Sequence, residues 1–424
     1  MKRVYILIAA AVFLGSLTGC GSGSKEEKGV EIKVVTPFSS DDGNRENFVN
    51  AYRAYEEATG NSVVDLSFTS NEAWKLQVTE DFETGNEPDV LFYFTGADAD
   101  KLVESGKLVS ISDIRREYPD YAENMKESMM PVSTLDGRQY AVPVNGYWEG
   151  LFVNRRVLES CGVELPGADY SWDKFLADCE IIKANGHTPI ACSLAEVPHY
   201  WFEFCTFNNG SLANHLILPD NSGDDAGRKW AAGLMDIKEL YVKGYFPENT
   251  TTASNQETAQ LIIDNEAAFL LDGSWQVGWF QGNARDISDF MVTFVPSKGE
   301  RRPTDIIGGL SMGYYITKQA WDNPQLREAC VEFVKAMTTD EVVSSFGALS
   351  VTALRNGTNP PENMDPLVVS ALEMTKNCTG IVSAAQDMLT PDARAVLFDG
   401  VVDIADGAAS PQEFIDACLA IMRV

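Results

Sequence analysis

Positive charge is what this sequence has least of. Its 424 residues hold 33 Lys and Arg against 62 Asp and Glu, a formal net charge of −29. Such a surface repels phosphate backbones and anionic headgroups, which excludes nucleic acid and a polybasic membrane mode. A neutral or cationic ligand suits this field better. Histidine is scarce too: His187, His199 and His215 are the full set, and no HExxH or Cys/His pair at zinc spacing occurs. Neither GxxxxGK[ST] nor a GxGxxG after a strand is present, so no nucleotide cradle and no cofactor is expected. Asp220-x-x-x-Asp224-Asp225 lacks the Gly and Glu of a calcium loop and reads as a solvated acidic loop. Gly309-Leu-Ser311-Met-Gly313 fits the spacing of a nucleophile elbow, whose Ser sits on a strand-to-helix turn with Asp and His after it. All three histidines precede Ser311, and Tyr314–Thr317 reads as strand. The chain is therefore expected not to be an enzyme, although 62 acids leave an unmarked pair of facing carboxylates open.

A membrane-spanning run is missing as well. Val4–Leu14 is an apolar stretch of eleven residues behind Lys2 and Arg3, whereas a hydrocarbon core needs about 20. This reads as an export signal. Its end, Leu17-Thr18-Gly19-Cys20, resembles the bacterial lipoprotein cleavage box. On that resemblance residues 1–19 are a signal peptide, and Cys20 becomes the first mature residue, lipidated and anchored to the cell membrane on its outer side. Residues 20–29, rich in Gly, Ser, Lys and Glu, have the composition of a flexible tether. Seven cysteines remain, an odd number, and none forms a CxxC pair. Cys179, Cys330 and Cys418 fall on apolar stripes of expected helices and read as buried thiols.

What is present is an ordinary globular composition, 45% apolar and 22% charged. Val30–Thr36 alternates as a strand, and Phe48, Ala51, Tyr52, Tyr55 and Ala58 share a helix face closed by Gly60. Val63–Phe68 reads as strand, Trp74–Phe82 as helix, and Asp89–Phe94 as a buried parallel strand. Such alternation opens a doubly wound α/β fold. Ser171 caps an expected helix over Trp172–Ala184, Thr338-x-x-Glu341 a second, and Ser410-Pro411-x-Glu413 the last. About 395 residues are too many for a single core. Aromatics gather where loops leave strands: Tyr93, Tyr147-Trp148, Tyr200-Trp201 and Trp275. Sugar rings present flat C–H faces to aromatic rings and hydroxyls to carboxylates and amides.

The order of segments resembles the family 1 extracellular solute-binding proteins of ABC transporters, the maltose-binding-protein-like group that mostly serves carbohydrates. The match rests on the cleavage box; Phe82–Val90 with Gly106-Lys-Leu; Tyr140-Ala-Val-Pro143 with Leu151-Phe-Val-Asn154; Ser171-Trp-Asp173 with Lys183–Gly186; Glu266–Trp275; and Gly308-Gly309 before the 314–317 strand and 326–337 helix. The resemblance implies a periplasmic-binding-protein-like fold, two α/β lobes joined by hinge strands around a ligand cleft. Lobe one would be 30–145 plus 297–345, and lobe two 146–296 plus 346–424, with Pro143–Asn154 crossing between them.

Carried over by segment, the family's ligand contacts fall on Ser39, Ser40 and Asp41 after the first strand, and on Tyr93, Thr95 and Asp98. Tyr147, Trp148 and Glu149 follow Pro143. His199, Tyr200 and Trp201 face from the second lobe, with Trp275 as the stacking aromatic and Gly309 as cleft backbone. The Gly96 region departs from the maltose-binding pattern. The implied function is a monomeric, lipid-anchored sugar-binding component of an importer, with permease subunits as partners. Two alternatives remain: an exported carbohydrate-active hydrolase, and the same fold binding a polyamine or other cationic solute.

Overall fold

The computed structural model describes residues 29–39, 42–133, 135–144, 146–347, 351–357 and 364–423. Cys20, Ser40 and Asp41 lie outside them. Ten strands occur among the described residues: β1 (Glu31–Val35), β2 (Ser62–Asp65), β3 (Val90–Phe94), β4 (Tyr147–Asn154), β5 (Thr188–Ala191), β6 (Ala267–Gly273), β7 (Phe290–Thr293), β8 (Asp305–Gly309), β9 (Met312–Ile316) and β10 (Gly380–Val382).

Alternation decides β1, where Ile32 and Val34 are buried and Glu31 and Lys33 face water. The helix Arg45–Thr59 follows and ends at Gly60, whose φ of 75° is the left-handed cap that glycine adopts without strain. β1 pairs in parallel with β2 and β3, and β9 returns antiparallel to β3, giving the order β2-β1-β3-β9. The larger sheet runs β10-β8-β4-β6-β5, with β7 beside the far half of β4. Two sheets with helices packed around them make two α/β lobes. Phe48, Tyr55, Phe92, Tyr314 and Phe333 anchor the core of the smaller sheet. Phe175, Trp201, Trp230 and Phe269 anchor a core of the larger one. Each such buried ring contributes roughly 1.5–3 kcal/mol over leaving it exposed.

The chain crosses between sheets on two adjacent antiparallel strands. Val142 bridges to Tyr314 at the edge of the smaller sheet, and Tyr147 pairs with Gly309 in the larger. The passage expected over Pro143–Asn154 is thus confined to its first residues, and from Tyr147 onward the run is sheet strand. A third passage joins Ala353 and Leu354, in the smaller sheet's core, to the helix Pro366–Asn377, which packs on β7. Two segments sit elsewhere than the expected division put them. Asp305–Gly309, expected with lobe one, is held by β4 and β10 in the larger sheet. Residues 353 and 354, expected with lobe two, pack with the smaller.

Capping follows the sequence at some helices and departs at others. Ser171 caps Trp172–Ala184, its hydroxyl accepting from the Lys174 N–H at 3.3 Å. Thr338 instead donates to the Val334 carbonyl, and its neighbour Thr339 accepts from the Val342 N–H, so the expected cap moves by one residue. Ser410 precedes Pro411–Met422 without a side-chain cap bond. In the acidic loop, Asp224 caps Asp225–Val242 by accepting from the Gly227 N–H at 2.7 Å. Cys179, Cys330 and Cys418 are buried free thiols. Ser311 lies between β8 and β9, a strand-to-strand crossing. Among the described residues no helix is long and apolar enough to cross a membrane.

Candidate functional site

Side chains alternate along β4, so Tyr147 and Glu149 share one face while Trp148 turns to the other and stacks on Phe152 at 6.0 Å between ring centroids. Glu149 stands directly opposite Gly273 on β6. A Cβ on Gly273 would overlap the Trp275 indole, so glycine there lets that ring fold back over the strand beside Glu149. Trp275 in turn lies 6.3 Å from the Tyr147 ring and 6.1 Å from the Tyr200 ring, tilted 37° to each. His199 continues the row, 4.2 Å from Tyr200. Three aromatics distant in sequence thus form one tilted floor on the larger lobe.

Carboxylates surround this floor. Asp272 accepts from the Gly273 N–H and from Gln276 Nε2, both at 2.7 Å, and the Tyr200 hydroxyl also bonds to it. Glu203 accepts from the N–H groups of Ala385 and Gln386 at 2.9 and 2.8 Å and pairs with His215 Nε2 at 2.9 Å. Burial pushes Asp272 up to about 6 and Asp387 to about 7. Burial, then the acids Glu203, Asp387 and Asp272, hold Glu149 well above the usual carboxylate range. His199 moves the other way, down to about 3, because burial disfavours its charged form.

The smaller lobe meets this surface at two places. Gly43, in the loop after β1, approaches so closely that a Cβ on it would lie 2.6 Å from the Trp275 carbonyl oxygen and 3.1 Å from the Gly278 Cα. Asp42 beside it is raised to about 6 by burial. At the second place Asp98 pairs with Arg394, which also reaches Glu72 at 3.3 Å, while Lys75 binds Glu72 at 2.9 Å and Asp98 at 3.2 Å. Glu72, Lys75 and Asp98 belong to helices beside β3, and Arg394 to the helix Pro391–Asp406 of the larger lobe's core. A four-member ion network, with Lys75, Asp98 and Arg394 buried and Glu72 at its exposed edge, therefore spans the two lobes.

Of the expected site residues, the structure brings together Tyr147, Glu149, His199, Tyr200 and Trp275, with Gly309 paired to Tyr147. Thr95, at the end of β3, donates its N–H to the Ser311 carbonyl at 2.8 Å beside the crossing strands. Asp98 is engaged in the ion network. Ser39 is hydrogen-bonded to Thr69 at 3.2 Å. Tyr93, Trp148 and Trp201 belong to cores: Tyr93 packs on Trp74 at 5.3 Å, and Trp201 stacks on Phe175 at 5.9 Å. Sequence reasoning missed Asp272, Glu203, Asp387, Arg394 and Lys75. An acid inside an apolar run was the available signal, Asp272 in Ala267–Gly273 and Glu203 in Trp201–Phe207.

The family described as bacterial extracellular solute-binding protein matches residues 39–344. The chain belongs to that family. It is 23% identical over 349 residues to the melibiose/raffinose/stachyose-binding protein MelE of Bacillus subtilis, covering 78% of this chain and 75% of that one. It is also 23% identical over 292 residues to the uncharacterized ABC transporter extracellular-binding protein PH1214 of Pyrococcus horikoshii, covering 66% of this chain but only 63% of that relative's length. Among solved structures, a chitin oligosaccharide binding protein superposes with a TM-score of 0.78 at 20% identity, over 93% of this chain and 98% of that one. RafE in complex with raffinose superposes with a TM-score of 0.70 at 16% identity, over 92% and 98%. These structural likenesses bear on the fold, that of the solute-binding proteins.

Proposed function

We propose that the chain captures a sugar or oligosaccharide outside the membrane and delivers it to the permease of an ABC importer. The observation that carries this reading is the floor of Tyr147, Tyr200 and Trp275, set beside buried carboxyls where the two lobes meet. Tilted aromatic faces suit the C–H faces of pyranose rings, and carboxyls suit their hydroxyls. The relatives named for melibiose, raffinose and chitin oligosaccharides support the same class. Micromolar affinity needs only ~8 kcal/mol, within reach of a few stacked rings and hydrogen bonds.

In this reading lobe one comprises about 30–142 with 312–357, lobe two about 147–309 with 364–423, and the antiparallel pair between them is the hinge. Residues 1–19 are a signal peptide, and a lipid on Cys20 holds a monomer at the outer face of the cell membrane. Mass spectrometry of ligand co-purified with the protein, followed by calorimetric titration with that ligand, tests the reading. Bound, unchanged saccharide supports it. Hydrolysed saccharide would instead favour an exported hydrolase, and a co-purified polyamine would move the same fold to cationic solutes.

A further inference from the structure

Glu149 is only 2% exposed, and its Oε2 has no hydrogen-bond partner among the described residues. It shares its strand face with Tyr147 and lies across from Gly273, the position over which the Trp275 indole folds, so its carboxyl sits at the edge of the aromatic floor. Two of the acids around it are already served. Asp272 is held by Gly273 and Gln276, and Glu203 by His215 and two backbone N–H groups. Lys75 and Arg394 are committed to Asp98 and Glu72. The charged groups that bear most strongly on Glu149 are the acids Glu203, Asp387 and Asp272.

A buried carboxyl without a donor is costly, and removing it would be the cheap remedy. A ligand hydroxyl would satisfy the oxygen but leave Glu149 crowded by Asp272, Glu203 and Asp387, which disfavours its ionised form. An ammonium satisfies both, because its hydrogen bond is charge-assisted and its positive charge can also rest against an indole face. We infer that Glu149 determines specificity, and that the cleft takes a saccharide bearing a free amino group directed at Glu149 Oε2 beside Trp275. This rests on the carbohydrate reading above and narrows it to amino sugars.

Calorimetric titration of the intact chain in detergent at pH 7 tests it, using three forms of one disaccharide: glucosamine units, their N-acetylated counterparts, and glucose units. The amino form should bind at least about tenfold tighter than either neutral form, as expected for a charged over a neutral hydrogen bond. In Glu149→Gln that advantage should shrink to within about threefold while neutral-sugar binding persists. Glu149→Asp, which keeps the charge on a shorter arm, should retain part of it. The melting temperature of unliganded Glu149→Gln should equal or exceed the parent's, because a buried carboxyl crowded by other acids is replaced by an amide that cannot ionise. Neutral forms binding as tightly as the amino form would overturn the inference and leave the carbohydrate reading intact. An amino-form advantage unchanged in Glu149→Gln would overturn the role of Glu149. Failure of all three forms, with a broader neutral-saccharide panel also silent, would overturn both.

Discussion

Trp275 carries the sharpest single-residue expectation. Its ring is held by contacts with Tyr147, Tyr200 and the bare backbone of Gly273 rather than enclosed in a core, and it remains partly exposed. Trp275→Ala should therefore cost ~1–3 kcal/mol of saccharide affinity, about five- to 150-fold, with little change in unliganded melting. A large loss of melting temperature with unchanged affinity would return the ring to a structural role. Titration of the same surface gives a second expectation. Asp272, Asp387 and Asp42 have folded values raised to about 6, 7 and 6 from 3.8. Their stabilising contribution is full below about pH 4 and is lost as pH rises through 6 to 7. His199, lowered from 6.5 to about 3, has the opposite sign, since its neutral burial costs stability only below its unfolded value. Between pH 6.5 and 8 the carboxyls outweigh His199, and unliganded stability should fall by about 1 kcal/mol. Urea midpoints across that interval measure it. A midpoint that climbs with pH would refute the electrostatic account.

At the scale of elements, much was legible because periodicity and caps are local. β1, the helix closed by Gly60 and the helix capped by Ser171 lie where alternation, glycine and serine put them. Which of two neighbouring aromatics meets the cleft was not legible. Tyr147 and Trp148 point to opposite faces of β4, and only the pairing with β6, more than a hundred residues later in the chain, decides which face is the floor. Tyr200 and Trp201 pose the same question on a helix, and Trp201 goes to the core. The inter-lobe network was invisible for a related reason: Arg394 stands 296 residues from Asp98. That network predicts an effect without ligand contact. Arg394→Met leaves Asp98 and Glu72 short of a buried partner only when the lobes are together, so it should disfavour that arrangement by about 1–3 kcal/mol. Small-angle scattering should show a larger unliganded radius of gyration, and titration a correspondingly weaker affinity. Unchanged values in both would mean that the network does not bias the lobes.

For the whole molecule, the proposed ligand contacts from both lobes would favour their approach by the differential free energy of binding. Scattering at saturating ligand should give a smaller radius of gyration than without it, and an identical profile would count against hinge closure. The expected anchor has its own test. One acyl chain gives marginal membrane attachment and two give a stable one, so Cys20→Ser should release the protein from the membrane fraction and alter its processing. A variant still membrane-bound and normally processed would remove the lipoprotein assignment. The three passages between the sheets carry a further consequence for biogenesis. The smaller sheet lacks its edge strand until β9, at residues 312–316, has emerged. The larger one waits for β10 and for the helices ending at Met422, which bring Leu397, Ile404, Ile415 and Leu419 to its core. A chain threaded outward from its N-terminus thus cannot complete either half early. Exported N-terminus first, as the proposed signal peptide implies, it would complete the smaller half's core only with Leu354 and the larger half's only with Leu419.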